Sequence, residues 1–169
     1  MAKIAMVIAR ENFRDEEYFK PKETLESKGH DVITASKEIG QIRGVQGGTA
    51  KATVKVIDLS PYDYDAIAFI GGQGMQELIN DIDYKTAAKR FYEAKKLTAA
   101  ICVAPAILAN IGILSGRKAT STAGAAEILK KTGANYTGSP IEIDGSIITA
   151  SGPDAAEEFA NKIAGYFAK

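Results

Sequence analysis

The chain lacks any charge imbalance: 21 lysines and arginines stand against 21 aspartates and glutamates, a formal net charge of zero with the histidine neutral. No overall field favours nucleic acid or anionic lipid, so neither is expected as a partner. There is one cysteine, Cys102, and one histidine, His30. One cysteine closes no intramolecular disulfide, which fits a reducing compartment and a cytoplasmic location. With one imidazole and one thiol, neither a transition-metal site nor a cofactor is expected. Long apolar runs are also missing, and nothing approaches the roughly 20 residues of a membrane span. The basic-then-apolar stretch Lys3–Ala9 is too short for a signal peptide and runs into Arg10-Glu11 rather than a cleavage site, so it reads as a buried first strand. No Walker lysine follows a glycine loop, and Rossmann glycine spacing is absent from the first strand–helix turn. Without repeats, low-complexity tracts or linkers, 169 residues at 46% hydrophobic content read as a single domain, 1–169.

What is present is a strand–helix alternation. Ile4–Ala9 is apolar throughout, as a strand covered on both faces must be. A helix from Asp15 or Glu16 to Lys28, stopped by Gly29, and a strand Asp31–Ala35 complete the opening unit of a parallel α/β sheet. Between Ser36 and Leu59 the pattern loosens, with Thr53–Ile57 alternating like an edge or hairpin strand. Ala66–Ile70 and Thr98–Ile101 read as buried strands. Helices are expected at Met75–Asn80, Tyr84–Lys95, after Pro105, at Gly124–Lys131 and over the amphipathic C-terminal stretch. Arg117–Ser121 reads as a short strand, and Asp144-Gly145 as the two-residue turn of a hairpin within Ile141–Ala150.

In a parallel sheet the strand ends after Ala9, Ala35, Ile70 and Ile101 share one rim, where ligands bind. Cys102 stands at that rim, at the corner between a strand and a helix opened by Pro105. Local sequence leaves two readings open: a buried small apolar residue, or a thiolate favoured by the helix N-terminus. Gly71-Gly72-Gln73-Gly74 brings backbone amides to the same rim, either as a plain turn or as donors to a developing oxyanion. Of the acidic cluster Asp15-Glu16-Glu17, Asp15 and Glu16 are assigned to the helix dipole and solvent. One carboxyl facing Cys102 would oppose the thiolate when ionised and favour it when protonated. His30 precedes the second strand, at the opposite edge of the sheet, about 17 Å from the cysteine by strand length, which excludes a Cys-His dyad within one chain.

Five stretches, in order, resemble the DJ-1/PfpI (ThiJ) superfamily along nearly the whole chain: FRDEEYFKP at Phe13–Pro21, GHDVITAS at Gly29–Ser36, FIGG at Phe69–Gly72, AICVAP at Ala100–Pro105 and DGSIITASGP at Asp144–Pro153. The resemblance implies a flavodoxin-like three-layer α/β sandwich, mostly parallel with helices on both faces, and a Cys102 nucleophile at an elbow. It implies Glu17 as the hydrogen-bonding partner of Cys102 and the backbone amides of Gly72 and Val103 as an oxyanion hole. It also implies a homodimer or higher homo-oligomer. Peptidase-like members carry histidine directly after the cysteine, where this chain has Val103, as in the DJ-1-like branch. Their second histidine corresponds to Thr122 or a neighbour, and their partner-subunit glutamate to Gln76, with Glu77 next to it. Ile70 stands in place of the proline that usually precedes the paired glycines.

Without imidazole a cysteine protease lacks its general base, so peptidase activity is disfavoured. The expected function is cofactor-independent chemistry on small α-oxoaldehydes or their protein adducts, of the glyoxalase or deglycase type. The alternatives are a redox sensor or stress-protective, chaperone-like protein acting through oxidation of Cys102 to the sulfinate, and a non-catalytic oligomeric scaffold.

Overall fold

A computed structural model describes residues 1–168. Along the chain run β1 (Lys3–Val7), α1 (Asp15–Ser27), β2 (Asp31–Ser36), β3 (Gly40–Arg43), β4 (Thr49–Ala52), β5 (Val54–Lys55) and β6 (Ala66–Phe69). There follow α2 (Gln73–Gln76), α3 (Ile82–Glu93), β7 (Leu97–Ile101), α4 (Pro105–Asn110), β8 (Lys118–Ala119), α5 (Ala126–Lys131), β9 (Asn135–Tyr136), β10 (Ile141–Asp144), β11 (Ile147–Ala150) and α6 (Ala156–Phe167).

The seven-stranded sheet has the order β10-β11-β7-β6-β1-β2-β5, parallel except for the antiparallel β10–β11 edge. Alternate side chains of the central strands feed two cores. On one face Val7, Ile67 and Phe69 pack with Tyr84 and Phe91 of α3 and Ile107 of α4. On the other, Ile4, Met6 and Ile101 pack with Leu25 of α1 and Phe159 and Ile163 of α6. This is the flavodoxin-like sandwich, covered on both faces, and it explains why β1, β6 and β7 are almost unbroken apolar runs.

The structure differs from expectation in the middle of the chain and at the last hairpin. Between Ser36 and Leu59 the chain forms a separate β3–β4 hairpin, then the two-residue edge strand β5 and a 3₁₀ turn at Val56–Asp58. The Thr53–Ile57 alternation therefore covers only the short edge pairing with β2. Pro21 lies in the interior of α1. Having no amide hydrogen, it cannot close the helical turn on the carbonyl of Glu17, four residues earlier. In the β10–β11 hairpin Asp144 pairs with Ile147, so the loop is Gly145-Ser146 rather than Asp144-Gly145; φ is +61° at Gly145.

Candidate active site

The carboxyl ends of β1, β6 and β7 meet at one rim, and each contributes through the loop that leaves it. Cys102, directly after β7, is held at φ +67°, a conformation that side chains other than glycine rarely adopt. Two backbone bonds fix it: its amide donates to Ala150 O at 2.9 Å, and its carbonyl accepts from the Thr122 amide at 2.8 Å. The thiol is half-buried. α4 follows at once, with Pro105 in its first turn.

Glu17 reaches this point from the first turn of α1 and is completely buried. Its Oε1 accepts from the Gly71 amide at 2.9 Å, while Oε2 is buried with no hydrogen-bond partner of ordinary geometry. A Cβ on Gly71 would lie 2.6 Å from both Cys102 Cβ and Glu17 Oε1, so the absent side chain is what allows the two groups to meet. Burial pushes the Glu17 carboxyl up to about 7, against the opposing pull of Cys102, the Gly71 amide and Arg14. Burial, then the Glu17 charge and the hydrogen bond to it, pushes the Cys102 thiol up to about 12, opposed by the Val103 amide and the Thr122 side chain. An ionised Glu17 therefore holds the proton on sulfur. Protonation of Glu17 removes that charge and turns the carboxyl into a donor.

Cys102 and Glu17 open into a cavity of about 300 Å³ whose walls include Gly72, Gln76, Val103 and Thr122. Among the described residues, the Gly72 amide donates to no protein acceptor, whereas the Val103 amide is directed at the Cys102 sulfur. Glu77 is exposed at the end of α2 and does not line the cavity. His30 sits at the far rim, where its Nδ1 accepts from the Ala2 amide at 3.0 Å. Burial lowers its pKa, in keeping with a neutral acceptor. Among the described residues no three His, Cys, Asp or Glu side chains are grouped to hold a metal ion, and no helix is long and apolar enough to cross a membrane.

Sequence reasoning missed four wall residues, Arg14, Val45, Gln73 and Pro153, and misplaced one further side chain. Arg14 and Gln73 line the cavity from loops already located at the rim, so their position was the available signal. Val45 lines it from the β3–β4 hairpin tip and gave no local signal. Asp15, assigned to the helix dipole and solvent, is instead 8% exposed, and both its oxygens are bound by backbone amides of that tip. Glu16 does face outward, pairing with Arg14 at 3.0 Å.

A parallel α/β sandwich with a strained cysteine at a strand–helix elbow, beside a buried carboxyl and the unpaired Gly72 amide, defines a class of proteins built on the flavodoxin-like fold. Within that class the chain belongs to the DJ-1/PfpI family, whose model matches residues 2–165. It is 40% identical over 165 residues to an uncharacterized protein of Methanocaldococcus jannaschii, covering 96% of this chain and 80% of that one. It is 28% identical over 148 residues to a protein of Thermococcus kodakarensis named as a deglycase, covering 88% and 89%. The solved ThiJ/PfpI domain protein from Brachyspira murdochii superposes with a TM-score of 0.95 at 31% identity, covering 98% and 95%.

Proposed function

We propose that the protein is a cofactor-independent cysteine enzyme acting on small α-oxoaldehydes or their protein adducts, with methylglyoxal as the simplest case. The observation that carries this reading is the fully buried Glu17, its carboxyl pushed up to about 7 beside the Cys102 thiol. A group that both holds and releases a proton near neutrality suits proton transfer at carbon. The name of the Thermococcus kodakarensis relative points the same way.

In the proposed sequence the Glu17 carboxylate takes the proton of the Cys102 thiol as sulfur forms a bond to the aldehyde carbon and the carbonyl π bond breaks, and the oxyanion is met by the amides of Gly72 and Val103. Glu17 gives its proton to that oxygen. The resulting carboxylate then takes the proton from the former aldehyde carbon and returns it to the neighbouring carbon, while the hydroxyl proton passes to the oxygen on that neighbouring carbon, leaving a thioester. Water cleaves the carbon–sulfur bond, so methylglyoxal plus water becomes lactic acid with no oxidant or reductant required. Gln76 and Thr122 are assigned to the surrounding wall, and the acting form to a cytoplasmic homodimer or higher homo-oligomer. The test is lactate formation from methylglyoxal. Wild type should exceed Cys102→Ala and Glu17→Ala, and a wild-type rate at the Cys102→Ala background overturns the reading.

A second reading is favoured by the unpartnered Glu17 Oε2. Two equivalents of peroxide would convert the thiol to a sulfinate and release two waters, and the protonated carboxyl would donate to a sulfinate oxygen. Intact mass after mild peroxide should show two added oxygens on wild type and none on Cys102→Ser; an unmodified wild type excludes it.

A further inference from the structure

The β3–β4 hairpin belongs to no larger sheet, and a two-stranded ribbon alone is marginally stable, so its position must be imposed from outside. Asp15 supplies the constraint. Its Oδ1 accepts from the Gln46 amide and its Oδ2 from the Gly48 amide, both at 2.8 Å. A Cβ on Gly48 would lie 2.6 Å from Asp15 Oδ2 and from Phe19 Cε2, and one on Gly44 would collide with Asp15 Oδ1. Two more bonds seat the tip on the loop after β1: Val45 N–H donates to Phe13 O and Asn12 N–H to Arg43 O, both at 2.9 Å.

The clamped tip, Gly44–Gly48, has one bulky apolar side chain, Val45. It is 41% exposed rather than packed into a core, and it lines the cavity that holds Cys102 and Glu17. Asp15 lies two residues before Glu17 in the same helical turn. The wall and the buried carboxyl therefore take their positions from one rigid helix start.

We propose that Val45 is a specificity-determining wall of the cavity and Asp15 the residue that positions it, restricting the site to carbonyl compounds with a short, unbranched apolar substituent over aryl or branched ones. The substrate class rests on the reading given above; the wall itself does not. Because Cys102 is the only cysteine, alkylation reports on this site alone. The experiment compares second-order rates of wild type and variants with iodoacetamide and with its bulkier N-phenyl analogue.

Wild type should favour the small reagent. Val45→Gly should narrow that preference by about tenfold and Val45→Phe should widen it, the range over which apolar pockets discriminate by size. Asp15→Ala should narrow it as Val45→Gly does, and Asp15→Asn, which keeps one acceptor oxygen, should fall between. Ratios for both Val45 variants within about twofold of wild type, far below that range, overturn the proposal. Lactate formation measured on the same preparations separates the two ideas. Absence of turnover in wild type removes the glyoxalase reading and leaves the wall standing, whereas unchanged alkylation ratios remove the wall whether or not lactate forms.

Discussion

At the amino ends of the strands, the polar groups of the rim meet partners and the chain has room. Asp65 Oδ2 accepts from the Lys3 amide at 2.8 Å, His30 Nδ1 accepts from the Ala2 amide, and Gly29, which follows α1 at φ +87°, has nothing within 4 Å of its missing Cβ. At the carboxyl ends the terms reverse. Cys102 is strained, Glu17 Oε2 has no partner, and a Cβ on Gly72 would lie 2.5 Å from the Arg14 amide. One rim closes the fold, and the other brings backbone and side chains closer than stability alone requires. Glycine separates the two: at Gly29 it supplies a dihedral angle alone, at Gly74 proximity alone, and at Gly72, with φ +123°, both.

The largest test of this contrast is a pair of alanine substitutions. A Cβ on Gly74 would collide with the backbone oxygen of Glu11, which no side-chain rotation relieves. Gly74→Ala should cost about 4 kcal/mol or prevent folding, whereas Gly29→Ala should cost about 1 kcal/mol for its left-handed backbone. Urea midpoints that rank the two equally would remove the distinction.

Next in size is the pH dependence contributed by Glu17. Its carboxyl ionises near pH 7 in the fold against an ordinary value of 4.5, so the native state holds this proton more tightly than the unfolded chain. The associated stability is complete below pH 4.5 and is lost as pH rises through 7, by about 3 kcal/mol at most. Glu17→Gln, neutral throughout, should match wild type in urea at pH 4.5 and exceed it at pH 8. A variant less stable than wild type at pH 8 would contradict this account. The smallest effect belongs to the other rim: His30→Ala removes an acceptor, should cost about 1 kcal/mol, and should leave the rate of Cys102 alkylation unchanged.

The sandwich was legible because β1, β6 and β7 are buried on both faces, and burial on both faces writes itself as the apolar runs Ile4–Ala9, Ala66–Ile70 and Thr98–Ile101. The elbow was legible from Cys102 and Pro105, and Glu17 from its place in a family pattern. The β3–β4 hairpin was not. Its strands, GQIR and TAKA, carry a two-residue period too short to stand out, and the force that fixes them is a buried aspartate far back in the chain. Asp15 was misassigned for the same reason, since an acidic residue in a first turn looks alike whether it faces water or another loop. Arg14 and Val45 enter the cavity only once those loops are stacked, an arrangement with no local signature.

The backbone bonds at Cys102 also set an order of events. Its amide is held by Ala150 and its carbonyl by the Thr122 amide, both met only after the chain has continued well past the cysteine. During synthesis, then, residues 98–105 can emerge and collapse while Cys102 is still an ordinary, freely turning thiol. The left-handed backbone at Cys102 is locked from both sides only when β11 docks beside β7 and the Thr122 amide reaches its carbonyl.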